Sequence, residues 1–200
     1  MKKCLVMTAL LTVLAGFASA SPIDYFSYFN VYSLGDIGKA NQKYGSDFQG
    51  VTGAGGNVYF SGFSLPGMGS PSGYSLHTGG SATLTGSYNL NLDIGGSVYL
   101  GGASVTGSIF SGGDVNNFGG GSVSGNVQAA GNVNLTNSVT VSGNKTSGAP
   151  YQPYLDLEAA AQQFLAASAL AAAMENTTTA SNLYGLLTVN GQSGLNIVTV

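Results

Sequence analysis

The chain has 200 residues, enough for one domain with its own core, but only 6% of them are charged, 32 are glycine, and the formal net charge is −3. Five lysines and no arginine leave no basic stripe for nucleic acid or anionic lipid, and a lone cysteine removes any disulfide framework. Sparse charge would suit a membrane protein, yet beyond the first twenty residues the apolar side chains are scattered among Gly, Ser, Thr and Asn.

The leader MKKCLVMTALLTVLAGFASA has two lysines, an apolar run from Leu5 to Phe17 and the small-residue ending Ala18-Ser19-Ala20. It reads as a secretory signal peptide over 1–20, cut after Ala20. The run falls short of the roughly 20 residues that a spanning helix needs. Cys4 lies inside this leader, so the mature chain 21–200 is expected to be cysteine-free, secreted and mildly acidic, with three lysines against eight acids and no membrane span.

The next distinctive stretch is SDFQGVTGAGGNVYF, Ser46 to Phe60. Gly50 and Gly55 have the first spacing of a phosphate-binding loop, but Gly56 and Asn57 stand where Lys and Ser/Thr would be needed, and a strand pattern follows. A dinucleotide fingerprint fails too, with Val58 in place of its third glycine. The stretch is therefore read as a corner leading into a strand.

That pattern recurs. GGNVYFSGF from Gly55, GGSATLTGS from Gly79, GGSVYLGGA from Gly95, GGDVNNFGG from Gly112 and AGNVNLTNS from Ala130 start 24, 16, 17 and 18 residues apart. Further turn formers stand at Gly62, Gly86, Gly101, Gly119 and Asn137, and again at Gly107, Gly125 and Gly143. Gly and Asn accept positive φ, so three turns per unit imply three short sides. Between them Leu90/Leu92/Ile94, Val98/Leu100, Val133/Leu135 and Val139/Val141 alternate with polar residues. A unit this short cannot bury its apolar row alone, whereas stacked copies share a core. The expected fold is mainly β, a β-solenoid of about five rungs. A meander sheet or sandwich remains the alternative, because periodicity does not distinguish coil closure from hairpins. The longer first spacing is assigned to a loop, Ser64 to Thr78, that holds His77.

Composition then changes. LDLEAAAQQFLAASALAAAMEN, Leu155 to Asn176, predicts one long helix over 155–176 with Asp156 as N-cap, Glu158 in the first turn, and Leu157, Ala161, Phe164, Leu165, Ser168 and Ala172 along one face. Its length matches a column of five rungs, so it is expected to pack alongside the solenoid. The ending LYGLLTVNGQSGLNIVTV returns to strand pattern and stops in mid-run at Val200, as in a truncated chain.

Sites for chemistry are thin. Asp93 and Asp114 stand alone in neutral stretches and Asp36 and Asp47 precede the first clear repeat, so each is read as a solvated turn residue rather than part of a hydrolase or lyase pair or a calcium repeat. His77, without a Cys or second His, is read as a loop histidine beside Gly79-Gly80 and not as a metal ligand. No catalytic, cofactor-binding or metal residues are assigned, and the ligand-binding residues are unknown. Thr83 and Thr85 form one outward pair of the kind that ranks on ice-binding faces, but Tyr99, Gly101, Asn116 and Phe118 occupy the later positions.

Taken together, FNVYSLGDIG (Phe29 to Gly38), SDFQGVTGAGGNVYF, the GGSVYL and AGNVNL rungs, the Ala-rich helix and the terminal strand pattern resemble the choice-of-anchor A domain of exported bacterial proteins. The resemblance covers nearly the whole mature chain. It departs at Gln49-Gly50-Val51, where that family has a Glu-Gly-Arg-like triplet, and no LPxTG motif follows. It implies a surface-displayed adhesive module without catalytic residues, whose partners are glycan, matrix or cell-surface ligands. Tyr59, Tyr74, Tyr88 and Tyr99 are candidate contacts, since an exposed ring joins apolar area to a hydrogen-bonding tip, and each reads equally as a packing residue under the loop or helix. The alternatives are a polysaccharide-acting enzyme on a β-helix and an ice-binding-like protein.

Overall fold

A computed structural model describes residues 24–40, 47–66, 70, 73–173, 179–183 and 186–190. The leader expected over 1–20 lies outside the described residues. In chain order the elements are α1 (Tyr25–Tyr28), β1 (Val31–Ser33), β2 (Thr52–Ala54), β3 (Val58–Leu65), β4 (Tyr74–Thr78), β5 (Ala82–Tyr88), β6 (Asn91–Ile94), β7 (Val98–Val105), β8 (Ile109–Ser111), β9 (Val115–Asn117), β10 (Gly121–Val123), β11 (Val127–Ala129), β12 (Val133–Asn134), β13 (Val139–Val141), β14 (Lys145–Thr146), α2 (Leu157–Ala173), β15 (Thr179–Leu183) and β16 (Leu186–Asn190).

From β1 to β14 every pairing is parallel and joins a strand to its counterpart one coil away, as in Leu76 with Leu92, Leu92 with Ile109 and Ile109 with Val127. Hairpins would pair antiparallel, so the coil closes and the chain is a β-solenoid, not a meander or sandwich. Among the described residues only β15 and β16 pair antiparallel. One side of the column is the sheet β1-β2-β4-β6-β8-β11-β14, here sheet A, which winds through about six turns. The other two sides are continuous in β3, β5 and β7; later coils break them into β9 with β10 and β12 with β13, together sheet B. The sequence showed five units because the first coil carries Leu34-Gly35-Asp36 where the next four carry Gly-Gly and a polar residue and the one after them Ala130-Gly131-Asn132.

Alternation puts one apolar row of each strand inside. Val58, Ala82, Val98 and Val115 stack down one side, and Leu76, Leu92, Ile109 and Val127 down another, all fully buried. Each such valine or leucine contributes about 1.5–3 kcal/mol, which no single coil could gather alone. Tyr88 is also sealed inside, with its hydroxyl donated to the Thr85 carbonyl at 3.0 Å. It is therefore a core residue, not a ligand contact, because its strand position faces inward.

The corners explain the glycines differently from the sequence reading. A Cβ on Gly79 would sit 2.6 Å from the Gly55 carbonyl oxygen, and one on Gly80 2.7 Å from the Gly56 backbone and from Asn57 Oδ1. Neither has positive φ; the coils simply stack too closely here for a side chain. Positive φ is needed at the next corner, where Gly62 stands at +69° with open space around it.

The residue after each corner pair closes a ladder along the column. Asp36 Oδ1 accepts from the Asn57 backbone N–H at 2.6 Å, Asn57 Oδ1 from Ser81 at 2.9 Å, Ser81 Oγ from Ser97 at 3.0 Å, Ser97 Oγ from Asp114 at 3.1 Å, and Asp114 Oδ1 from Asn132 at 2.7 Å. A second ladder runs Asn91, Ser108, Asn126 and Asn144 at 2.8 to 2.9 Å. Corner N–H groups point along the stack with no strand partner, and a short polar side chain one coil away satisfies them.

Helix α2 begins as expected: Asp156 Oδ1 caps the Ala159 N–H at 2.9 Å. It packs alongside through its first turns, where Ala160 is fully buried and the Phe164 ring lies on Tyr32, 4.7 Å between centroids, and edge-on to Phe26. The contact face departs from the expected one. Ala160 replaces Ala161, and Leu165 (47% exposed) and Ser168 face outward, because the helix meets the narrow ridge of α1 and Tyr32, which one large ring fills.

Candidate functional site

In each sheet A strand the residue two positions before the corner pair points away from the core. Register lines these residues up as Tyr32, Gly53, His77, Asp93, Phe110, Gln128 and, last, Thr146. The first half of this file is roofed. Phe29 lies against Gly53, where any Cβ would strike its ring, and Tyr25, Tyr28, Val51, Leu155 and Ala160 complete a second, smaller core.

Under the roof lies a polar network, not the loop histidine and solvated aspartate expected from the sequence. His77 is fully buried on β4 and Asp93 is 3% exposed on β6, directly beside it. His77 Nδ1 and Asp93 Oδ2 are 3.0 Å apart, and His77 Nε2 is 3.0 Å from the Tyr28 hydroxyl. A carboxylate only accepts, which places the Nδ1 proton on the Asp93 side. Tyr151 Oη donates to Asp93 Oδ1 at 2.8 Å and the Tyr154 backbone N–H to Oδ2 at 2.9 Å. Burial, then the charge and hydrogen bond of Asp93, push the Tyr151 hydroxyl well above the ordinary tyrosine value. Burial and the neighbouring Asp93 raise Tyr74 likewise.

Two of those donors come from a strap, 149–155, that leaves the last coil and crosses back over sheet A. Its start is fixed by Ala149 N–H on the Ala129 carbonyl at 2.9 Å, its end by buried Leu155, and Pro150 and Pro153 stiffen the path. Between strap and sheet, where the roof stops, opens a cleft of about 670 Å³. Its floor is Phe110 and Gln128. Its wall is an aromatic shelf: Tyr154, 49% exposed, lies 4.6 Å from Tyr74 centroid to centroid, and Tyr74 is 6.1 Å from Phe110. Gln152 adds an amide on the strap side.

The remaining candidates lie elsewhere. Asp36, Asp47 and Asp114 each accept a backbone N–H of a neighbouring coil, from Asn57, Ser64 and Asn132 respectively, so their carboxylates serve the stacking. Asp93 faces the strap instead, and the structure does not bring it together with Asp114. Among the described residues no group of three His, Cys, Asp or Glu could hold a metal ion. On the outer face of sheet B, Tyr59, Thr83, Tyr99, Asn116 and Asn134 form one file, half-buried at Tyr59 and open at Tyr99. The threonine pair is thus not continued. Of the four tyrosines singled out in the sequence, Tyr74 lines the cleft, Tyr99 and Tyr59 belong to this other face, and Tyr88 is internal.

The sequence did hold a signal for the His77–Asp93 pair: both stand two residues before a Gly-Gly, so equal offsets in successive repeats had to become neighbours. Tyr28, Tyr151 and Tyr154 lie outside the repeat and carried none.

Comparison with known proteins found no matching family model, no similar curated protein and no similar solved structure. Among the described residues no helix is long and apolar enough to cross a membrane.

Proposed function

We propose that the chain is an exported, surface-displayed adhesive module that binds a glycan, matrix or cell-surface ligand without transforming it. The observation that carries this reading is the cleft itself. Its one carboxylate, Asp93, is held on both oxygens by Tyr151, Tyr154 and His77, while the groups that face outward are aromatic rings and amides. Such a lining supplies contact area and orientation but no free acid, base or nucleophile. The laddered solenoid adds a stiff support, so little entropy is lost when a ligand settles. The resemblance to choice-of-anchor A domains supports display at the cell surface, and the leader 1–20 supplies the export route.

The experiment has two arms. Mass spectrometry of the protein recovered from the medium or cell surface of a bacterial host should give a chain starting at Ser21. A strain lacking the protein should adhere less to immobilised glycans or matrix proteins than its parent, with restoration on complementation. Normal adhesion by the deletion strain across a broad panel, with no binding by the purified protein, would overturn the adhesive reading. The alternative of a polysaccharide-acting enzyme requires convergent acids, and the separate engagements of Asp93 and Asp114 weigh against it.

A further inference from the structure

We infer that the cleft between sheet A and the 149–155 strap is a binding site for an uncharged sugar chain, with Tyr154 as its stacking platform. This rests on the reading of the protein as a binding module and names the ligand class that the site is built for.

Three features select the class. The first is the shelf of Tyr154, Tyr74 and Phe110 around one opening. A pyranose ring presents axial C–H groups on one face, apolar and slightly positive, and the negative face of an aromatic ring attracts such hydrogens. Tyr154 is half-exposed, so part of its ring is open to take that role. The second is the amide pair. Gln128 on the floor and Gln152 on the strap each offer a donor and an acceptor side by side, which suits the neighbouring hydroxyls on a sugar edge.

The third is charge. Apart from tyrosines, Asp93 is the one ionisable group among the described residues that line the cleft, and its oxygens are taken by Tyr151, Tyr154 and His77. No cation is present among the lining residues to hold a uronate, sialate or phosphate, and no free carboxylate to hold an amine. A charged ligand would lose its hydration without repayment. The open volume, about 670 Å³, lies within the range of roughly 300–1,000 Å³ of small-ligand sites and leaves room for more than a single ring. The floor needs no rearrangement, because Phe110 and Gln128 sit in register on adjacent paired strands.

Tyr154 also permits a clean test. Its bond to Asp93 is made by the backbone N–H, so Tyr154→Ala removes the ring and leaves the network anchored. Neutral hexasaccharides of glucose, xylose, mannose, galactose and N-acetylglucosamine, a hexagalacturonate and an uncharged hexapeptide are titrated into the full chain by calorimetry. At least one neutral sugar should bind with Kd below about 1 mM. Tyr154→Ala should weaken it about tenfold and Gln128→Ala about fivefold, with both variants still unfolding in one cooperative transition. Tyr99→Ala, on sheet B, should leave binding intact. Binding of no neutral sugar, or preference for the galacturonate or the peptide, would overturn the ligand class. Sugar binding that survives Tyr154→Ala but is lost in Tyr99→Ala would overturn the site while leaving the adhesive module standing. Cleft-dependent sugar binding in a strain whose adhesion does not depend on the protein would break the adhesive reading instead.

Discussion

The outer faces of sheets A and B are built from the same coils, yet one is roofed and the other bare. On sheet A the file Tyr32, Gly53, His77 and Asp93 is covered by α1, α2 and the strap, and the cover stops at Phe110 and Gln128. On sheet B the file Tyr59, Thr83, Tyr99, Asn116 and Asn134 has no such cover among the described residues, and Asn134 merely donates to Asn116 at 3.0 Å. Repetition fixes where side chains stand, but only the non-repeating segments decide which of them become a site. Concavity arises at the edge of the roof, where rings from the strap meet rings from the sheet.

The largest effect should come from removing the centre of the roofed side. Asp93→Ala strands the His77 and Tyr151 donors and the Tyr154 N–H, and chemical denaturation should show a loss of about 3 kcal/mol or more. Asn116→Ala on the bare face should stay within about 0.5 kcal/mol. Equal losses would mean that the two faces do not differ as described.

A corner substitution ranks next and probes what both faces share. Gly80→Ala puts a Cβ 2.7 Å from the backbone of the coil below and should cost about 2 kcal/mol, whereas Gly62→Ala meets no atom and suffers only its positive φ, about 1 kcal/mol. The reverse order would show that turning, not stacking, selects the Gly-Gly pair. Smaller again is a single rung of the ladder: Asn57→Ala leaves the Ser81 N–H without its acceptor and should lower stability by about 1 kcal/mol.

The smallest and most gradual effect is alkaline. Tyr151 on the roofed side and Tyr88 in the core both have hydroxyls raised above the ordinary 10.0, Tyr151 by burial and then Asp93, Tyr88 by burial. Folding therefore favours their neutral forms. Their contribution is fully present below pH 10 and is lost as the pH rises above it, because there the unfolded chain releases protons that the fold retains. Stability measured against pH should be level near neutrality and fall above about pH 10, less steeply in Tyr151→Phe than in the unaltered protein.

Much of this architecture was legible in the sequence. The Gly-Gly spacing gave the coil, the alternation of Val98 and Leu100 gave the inside, and Asp156 gave the start of α2. The ladders were visible but unread, since Asn57, Ser81, Ser97, Asp114 and Asn132 each follow a glycine corner. The His77–Asp93 pairing needed only the offset from that corner. What could not be read was the roof: Phe29 on Gly53, Tyr28 on His77 and Tyr151 on Asp93 join residues far apart in sequence through segments with no period. The face of α2 was misjudged for the same reason, as its partner was α1 and not a flat sheet.

The most direct measurement maps the ligand onto the two faces. With the uniformly labelled protein, backbone and side-chain amide resonances are followed during titration with the neutral hexasaccharide that binds best. Shifts concentrated at Phe110, Gln128, Gln152 and Tyr154, with Tyr99, Asn116 and Asn134 unmoved, are the expected result. Shifts centred on Tyr99, Asn116 and Phe118 would contradict it, since they would place the binding surface on the bare side of the solenoid.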